Sequence, residues 1–275
     1  MRQGLAERAA ALRSRGIAPR LAVVVVGEDP SSAAYVRSIE KVAQKIGIDV
    51  VVDALPESAG DAAIRAHLAR RGDDATVHGL ILQQPLPAGR SIRAIADALP
   101  VHKDVDGTNP LNQGRLAFGA GADFVPATPA AVMLLLERSA KWPLRGREAL
   151  VVGRSAVVGL PVSLLLIAQG VTVTVAHRAT ADLPGHVGRA EILVVAAGMP
   201  GLIPGAWIRP GATVVDVGTT VRDGALVGDV DYAGALETAG EITPVPGGVG
   251  PVTNMALLRN VVVAAERAHA SASSS

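Results

Sequence analysis

No cysteine occurs anywhere in the 275 residues, which excludes a disulfide framework, a thiol nucleophile and thiolate-ligated zinc. Aromatics are almost as scarce, two each of Phe, Trp and Tyr, so the core has to be built from Ala, Val, Leu and Ile. With so few rings, the chain lacks the platforms on which a single-strand binder stacks bases. An excess of one charge is also missing. Lys+Arg 26 against Asp+Glu 25 leaves a net charge of +1, without the basic surplus of a general nucleic-acid binder. No apolar stretch is long enough to span a membrane, since the longest, residues 149–176, is interrupted by Arg154, Gly159, Pro161 and Gln169. Residues 1–16 have the pattern of a polar amphipathic helix, not of a signal peptide. The expectation is a soluble, cytoplasmic protein with no nucleic-acid or membrane partner.

What the chain has is hydrophobic material, 49% of its residues, arranged in short β-branched runs between helical patterns. Strands are expected at 21–26, 49–55, 79–83, 149–152, 171–176, 192–196 and 213–217. Helices are expected at 2–14, 32–46, 61–70, 91–98, 129–139, 158–168 and 251–269. Strands separated by helices mean βαβ units and parallel sheets, and the two clusters, before and after about residue 140, predict two α/β lobes.

The run Ala149 to Pro161 reads as strand, glycine turn and helix, which aims backbone N–H groups and a positive helix end at an anion. Its spacing, Gly153 to Gly159, is neither the G-x-G-x-x-G of a Rossmann turn nor a Walker A loop, and an ordinary βα turn explains it equally well. The end of the next strand carries more information. In dinucleotide folds an acid there holds the 2′-hydroxyl of NAD, whereas a basic residue accommodates the 2′-phosphate of NADP. Here the chain reads His177-Arg178-Ala179-Thr180 with no acid before Asp182. Arg178, with Arg154 and Thr180, is a 2′-phosphate candidate, and a solvated loop arginine is the alternative. NADP is preferred over NAD.

Several further motifs stand in order along the chain: Val26-Gly-Glu-Asp-Pro-Ser-Ser-Ala-Ala-Tyr35, Gly79-Leu-Ile-Leu-Gln83-Gln-Pro85-Leu-Pro87 and Lys103-Asp-Val-Asp106-Gly107. They continue through Gly153-Arg-Ser155, Asp216-Val-Gly218, Gly228-Asp-Val-Asp231 and Thr243-Pro-Val-Pro-Gly-Gly-Val-Gly-Pro251. With these, residues 21–260 closely resemble the bifunctional methylenetetrahydrofolate dehydrogenase/methenyltetrahydrofolate cyclohydrolase family. The resemblance implies an α/β folate-site lobe of residues 1–128 and 254–275, a Rossmann-like parallel-sheet NADP lobe of residues 129–253, and a cleft between them. It also implies tetrahydrofolate derivatives as substrates, a homodimer and no metal. Against the family pattern, the chain starts inside its first helix, and Ala127, Met199 and Thr219 depart from the usual residues.

The resemblance also assigns roles. Tyr35 would stack on and orient the folate ring system, Gln83 would face the reacting carbon, and Pro85 and Pro87 would shape the pocket wall. Asp106 would accept the pterin's amino and ring N–H groups, as a carboxylate accepts a bidentate donor. Gly247 and Gly248 would let backbone approach the substrate, while Lys103 and Asp104 remain open to a bland reading as a loop ion pair. The cofactor would lie on Gly153, Arg154, Ser155, Gly159, His177, Arg178, Gly218 and Thr219.

One departure bears on chemistry. The family carries a lysine four residues after the tyrosine, and this chain has Ile39 there, in Tyr35-Val-Arg-Ser-Ile39-Glu-Lys41. On a helix, position 39 lies about 40° from Tyr35 and is expected to face the same cleft, whereas Lys41 lies about 200° from position 39. Lys41 therefore cannot take the lysine's place. With 4 lysines against 22 arginines, drift in composition would have favoured Arg. The resemblance ties that lysine to hydrolysis of the methenyl compound, so dehydrogenation is expected to persist and hydrolysis to be impaired. The alternatives are an enzyme that keeps both activities, with Gln83 and ordered water replacing the lysine, and a non-catalytic folate-binding paralogue.

Overall fold

Apolar strand runs alternate with helices in the computed structural model, which describes residues 1–222 and 224–272. In chain order the elements are α1 (Arg2–Arg13), β1 (Arg20–Val26), α2 (Pro30–Ile46), β2 (Asp49–Leu55), α3 (Asp61–Asp73), β3 (Gly79–Leu82), α4 (Pro110–Phe118) and α5 (Ala127–Leu136). There follow β4 (Glu148–Val152), α6 (Gly159–Ala168), β5 (Thr172–Ala176), α7 (Leu183–Arg189), β6 (Ile192–Val195), β7 (Thr213–Asp216), the pair β8 (Thr220–Arg222) and β9 (Ala225–Val227), α8 (Tyr232–Leu236), β10 (Glu241–Ile242) and α9 (Val249–Ala272). The chain divides into two compact units, Met1–Ala127 with the chain from Asn254 onward, and Thr128–Thr253. The protein is α/β with parallel sheets throughout, apart from the antiparallel β8–β9 pair.

In the first unit the sheet order is β2-β1-β3, all parallel, with Leu21 opposite Val50 on one side and Gly79 on the other. A bridge from Leu80 to Asp104 extends the sheet by one short strand-like segment. Helix α2 starts sharply because Asp29 accepts the Ser32 N–H at 2.7 Å and Pro30 stands in the first turn, where its missing N–H costs nothing. It ends at Gly47 in the left-handed region. Ser32, Val36, Ile39, Ala43 and Ile46 form its buried row, spaced three and four residues apart. Helix α9 lays Leu257, Leu258, Val261 and Val262 into the same unit's core, and Val261 packs where any side chain at Gly79 of β3 would stand. Each fully buried Leu or Val contributes about 1.5–3 kcal/mol, enough to hold α9 far from its neighbours in sequence.

The second unit has the order β10-β7-β6-β4-β5, again all parallel, with its core split between the two faces of the sheet. Two sequence expectations need correction. Residues 91–98 are two single 3₁₀ turns, Ile92–Ala94 and Ala96–Ala98, not one helix. Pro100 forces Leu99 into an extended conformation, and Ile95 leaves the helical region while staying fully buried. Helices α4, α7 and α8 and strands β8–β10 are absent from the expected set, although for α4 Asn109 accepting from Leu111 at 2.7 Å, Pro110 at its start and Gly119 at its end are ordinary boundary signals.

Candidate active site

In parallel α/β sheets, ligands gather outside the carboxyl ends of the strands. Gln83 is the first residue after β3, and its side-chain amide is turned back onto the Gln84 carbonyl at 2.6 Å. The buried Ser32 hydroxyl, in the first turn of α2, donates to that same carbonyl at 3.2 Å and so ties the start of α2 to the end of β3. Pro85 and Pro87 follow in the same loop. Tyr35 stands half-buried one turn further along α2, and burial together with the negative charge of Asp106 holds its phenol above the usual range. Asp106 lies two residues beyond the Leu80–Asp104 bridge, at the same strand end. The first unit thus brings Tyr35, Gln83 and Asp106 together.

Among the described residues Asp106 has a single weak partner, the Ala127 N–H at 3.4 Å. Burial, with Asp104 adding like-charge repulsion, pushes its carboxyl up to about 7. No cation among the described residues offsets either effect. The turn that presents it depends on Gly107, whose φ is +61° and whose absent Cβ would sit 2.7 Å from the Pro126 nitrogen.

Asp104 and Lys103 do not form an ion pair with each other. Lys103 donates to the Asp74 carbonyl at 2.8 Å. Asp104, fully buried, accepts from the Thr108 N–H and hydroxyl, the Asn109 N–H and the Asn112 side chain at 2.8–3.1 Å. Sequence reasoning missed this scaffolding role. The signal available was the Thr-Asn pair four and five residues downstream, which supplies donors for a turn.

Ile39 is fully buried, in the packed row of α2, whereas Tyr35 four residues earlier is partly exposed. The 40° between them is enough to carry position 39 onto the core side of the helix.

In the second unit the residues expected to hold a cofactor line the carboxyl ends of β4, β5 and β7. Gly153 has φ of +124°, and a Cβ there would stand 2.2 Å from the Ala196 carbonyl oxygen. A Cβ at Gly159 would meet the Gly153 carbonyl at 2.1 Å. Packing within the turn itself therefore requires glycine at both positions, which leaves bare backbone there. The Ser155 hydroxyl accepts the Val158 and Gly159 N–H groups at 3.1 and 3.4 Å. Arg154, His177 and Arg178 are exposed, and neither arginine has an ion-pair partner among the described residues. Thr180 closes the 177–180 turn by accepting the His177 N–H at 2.9 Å, which leaves Arg178 at its tip. Gly153→Ala should lose about 1–3 kcal/mol of stability from strain alone, read as a fall in melting temperature, together with most dinucleotide binding.

Gly218 and Thr219 follow β7, and two buried carboxylates, quoted above as motif residues without a role, organise that end. Asp216 accepts the N–H groups of Gly218, Asp229 and Val230. Asp229 accepts those of Ala197 and Gly198 in the loop after β6. Together they tie the loops following β6 and β7. Gly247, exposed with φ of +106°, and buried Gly248 form the turn between β10 and α9.

Comparison with known proteins accounts for nearly the whole chain. The NAD(P)-binding domain of tetrahydrofolate dehydrogenase/cyclohydrolase matches residues 126–269, and the catalytic domain of the same enzymes matches residues 1–106. The chain belongs to the tetrahydrofolate dehydrogenase/cyclohydrolase family. The bifunctional protein FolD of Azoarcus sp. is 47% identical over 272 residues, 97% of this chain and 93% of that protein. Among solved structures, the bifunctional FolD of Campylobacter jejuni superimposes with a TM-score of 0.92 at 38% identity, covering 97% of this chain and 94% of that one. The Trypanosoma brucei FolD, solved with NADP and an inhibitor, gives 0.91 at 37% identity over 97% and 93%. Family membership makes the second unit an NAD(P)-binding domain, with α9 running beyond it into the first unit. No helix among the described residues is long and apolar enough to cross a membrane.

Proposed function

We propose that this protein is an NADP-dependent methylenetetrahydrofolate dehydrogenase whose ability to hydrolyse the methenyl product is impaired. The observation that carries the reading is Ile39, a fully buried side chain without a polar atom, one helical turn from the Tyr35 that faces Asp106. Asp106, Tyr35 and Gln83 would bind and orient the folate, with the ionised Asp106 accepting the pterin's N–H groups. Bound NADP+ supplies the hydride acceptor. The turn at Gly153 and Gly159, with Ser155, would cradle its pyrophosphate; Arg178 and Arg154 would meet the 2′-phosphate; His177, Gly218 and Thr219 would complete the site.

Removing hydride from the methylene carbon moves no proton, so positioning by these residues carries most of the catalysis. Hydrolysis differs, because water must lose a proton and a ring nitrogen must gain one. Isoleucine can do neither. The test is spectrophotometric: wild-type protein with methylenetetrahydrofolate and NADP+ should form NADPH and the methenyl compound together. No NADPH formation would overturn the reading.

Cofactor choice has its own test. Arg178→Ala should raise the KM for NADP+ about tenfold, the worth of one charge-assisted hydrogen bond, and leave the poorer KM for NAD+ nearly unchanged. Equal losses for both cofactors would remove Arg178 from the 2′-phosphate.

A further inference from the structure

Asp106 owes its place to contacts outside its own loop. Its only hydrogen bond among the described residues, from the Ala127 N–H, is already long at 3.4 Å, so a displacement of a few tenths of an ångström between segments 104–107 and 124–127 would break it. Packing between those segments is close, since Gly107 leaves no room for a Cβ against Phe124 and Pro126. What joins them is a side chain from α9. The Asn260 amide, 5% exposed, donates to the Val105 carbonyl at 2.8 Å and to the Val125 carbonyl at 3.2 Å. One NH₂ group thus spans the residue before Asp106 and the segment that supplies Asp106 with its donor. Two turns further along α9, Arg267 donates to the Asp123 carbonyl at 3.0 Å and lies over the Phe124 ring at 5.2 Å, which anchors the second segment to the same helix.

We infer that Asn260 is a positioning residue for folate binding: its bridge between Val105 and Val125 holds Asp106 within reach of the Ala127 N–H and sets the carboxylate's orientation toward the substrate. This rests on the folate reading of Asp106 given above. The bond to Val105 is buried and that to Val125 part-buried, and one amide makes both, so losing the bridge loosens the two segments together. Burial, the largest effect, and Asp104 in its own loop oppose ionisation of Asp106, the Ala127 bond favours it, and Tyr35 of α2 is the other titratable group facing it. Without the bridge that balance tips toward the protonated acid, which cannot accept two N–H groups.

The test compares wild type with Asn260→Ala and Asn260→Ser, measuring KM for methylenetetrahydrofolate and for NADP+ from pH 5.5 to 8.5, a range of about 1.5 units either side of the Asp106 midpoint. In Asn260→Ala the folate KM should rise roughly 3- to 10-fold, the worth of one buried hydrogen bond, with the NADP+ KM unchanged. The pH midpoint of the folate KM should move up from about 7. Asn260→Ser, which keeps one donor, should lie between alanine and wild type and carries the test if the alanine protein does not fold. A residue that merely supports the fold would lower the melting temperature and leave the midpoint and the ratio of the two KM values where they were. That result in a folded variant overturns the inference. Wild-type protein without NADP+-dependent folate oxidation would overturn the dehydrogenase reading instead.

Discussion

Methenyltetrahydrofolate should accumulate when the protein oxidises methylenetetrahydrofolate, decaying no faster than in a control without enzyme. General acid–base assistance typically contributes ~10²–10⁴-fold to a step of this kind, and that is the scale of the expected deficit. The physical reason is local. Tyr35 has its phenol pushed above the range in which it gives up a proton, Gln83 does not titrate, and Ile39 carries no donor, acceptor or charge. Arg37 and Lys41 are on other faces of α2 and are exposed. Ile39→Lys should recover hydrolysis, with a cost in stability, because position 39 is fully buried and an ammonium there must either reach outward along its stem or lose its water. The paired readout is informative: rising hydrolysis with a falling melting temperature is the expected signature. Wild-type protein that hydrolyses the methenyl compound at a rate comparable to its dehydrogenation would refute the impairment.

Replacing Asp106 by asparagine should reduce folate turnover about 10²-fold while leaving NADP+ binding intact. The substitution keeps shape but turns one acceptor into a donor, which then confronts the pterin's own N–H groups. An unmet or opposed buried polar group costs about 1–3 kcal/mol, and here both the lost bond and the new clash contribute. The same argument gives a pH dependence in the unmodified protein. Asp106 titrates at about 7, above an ordinary aspartate, and binding needs its ionised form. The folate KM should therefore be flat above pH 7 and rise ~10-fold per unit as pH falls below it, as the ionised fraction shrinks. In Asp106→Asn that dependence should vanish. Unchanged turnover, or a pH profile that survives the substitution, would remove Asp106 from the folate site.

Much of this protein was legible in one dimension. Alternating β-branched and helical stretches are local patterns, and they are enough to predict parallel α/β construction. The same holds for the strand–turn–helix at Gly153, where positive φ and the lack of a Cβ suit a bare nucleotide turn, and for the basic residue at Arg178 in place of an acid. Family motifs, read in order, singled out Tyr35, Gln83 and Asp106, which the first unit brings together, and spacing on a helix showed that Lys41 cannot stand in for a lysine at 39.

Other features depend on contacts far apart in sequence, and only the tertiary structure decided them. The helical angle between Tyr35 and Ile39 is small, yet one is half-exposed and the other sealed in the core, because burial depends on what packs against α2 and not on α2 itself. Asp104 and Asp106 carry the same charge two residues apart, but four donors around Asp104 make it a scaffold, while Asp106 keeps one weak donor and a raised pKa. Residues 91–98 satisfy a helical pattern until Pro100 and the burial of Ile95 break it into two turns. Asn260 has no local signature at all. Its role arises from 155 residues of separation closing to a 2.8 Å hydrogen bond, which no pattern within a single helix encodes.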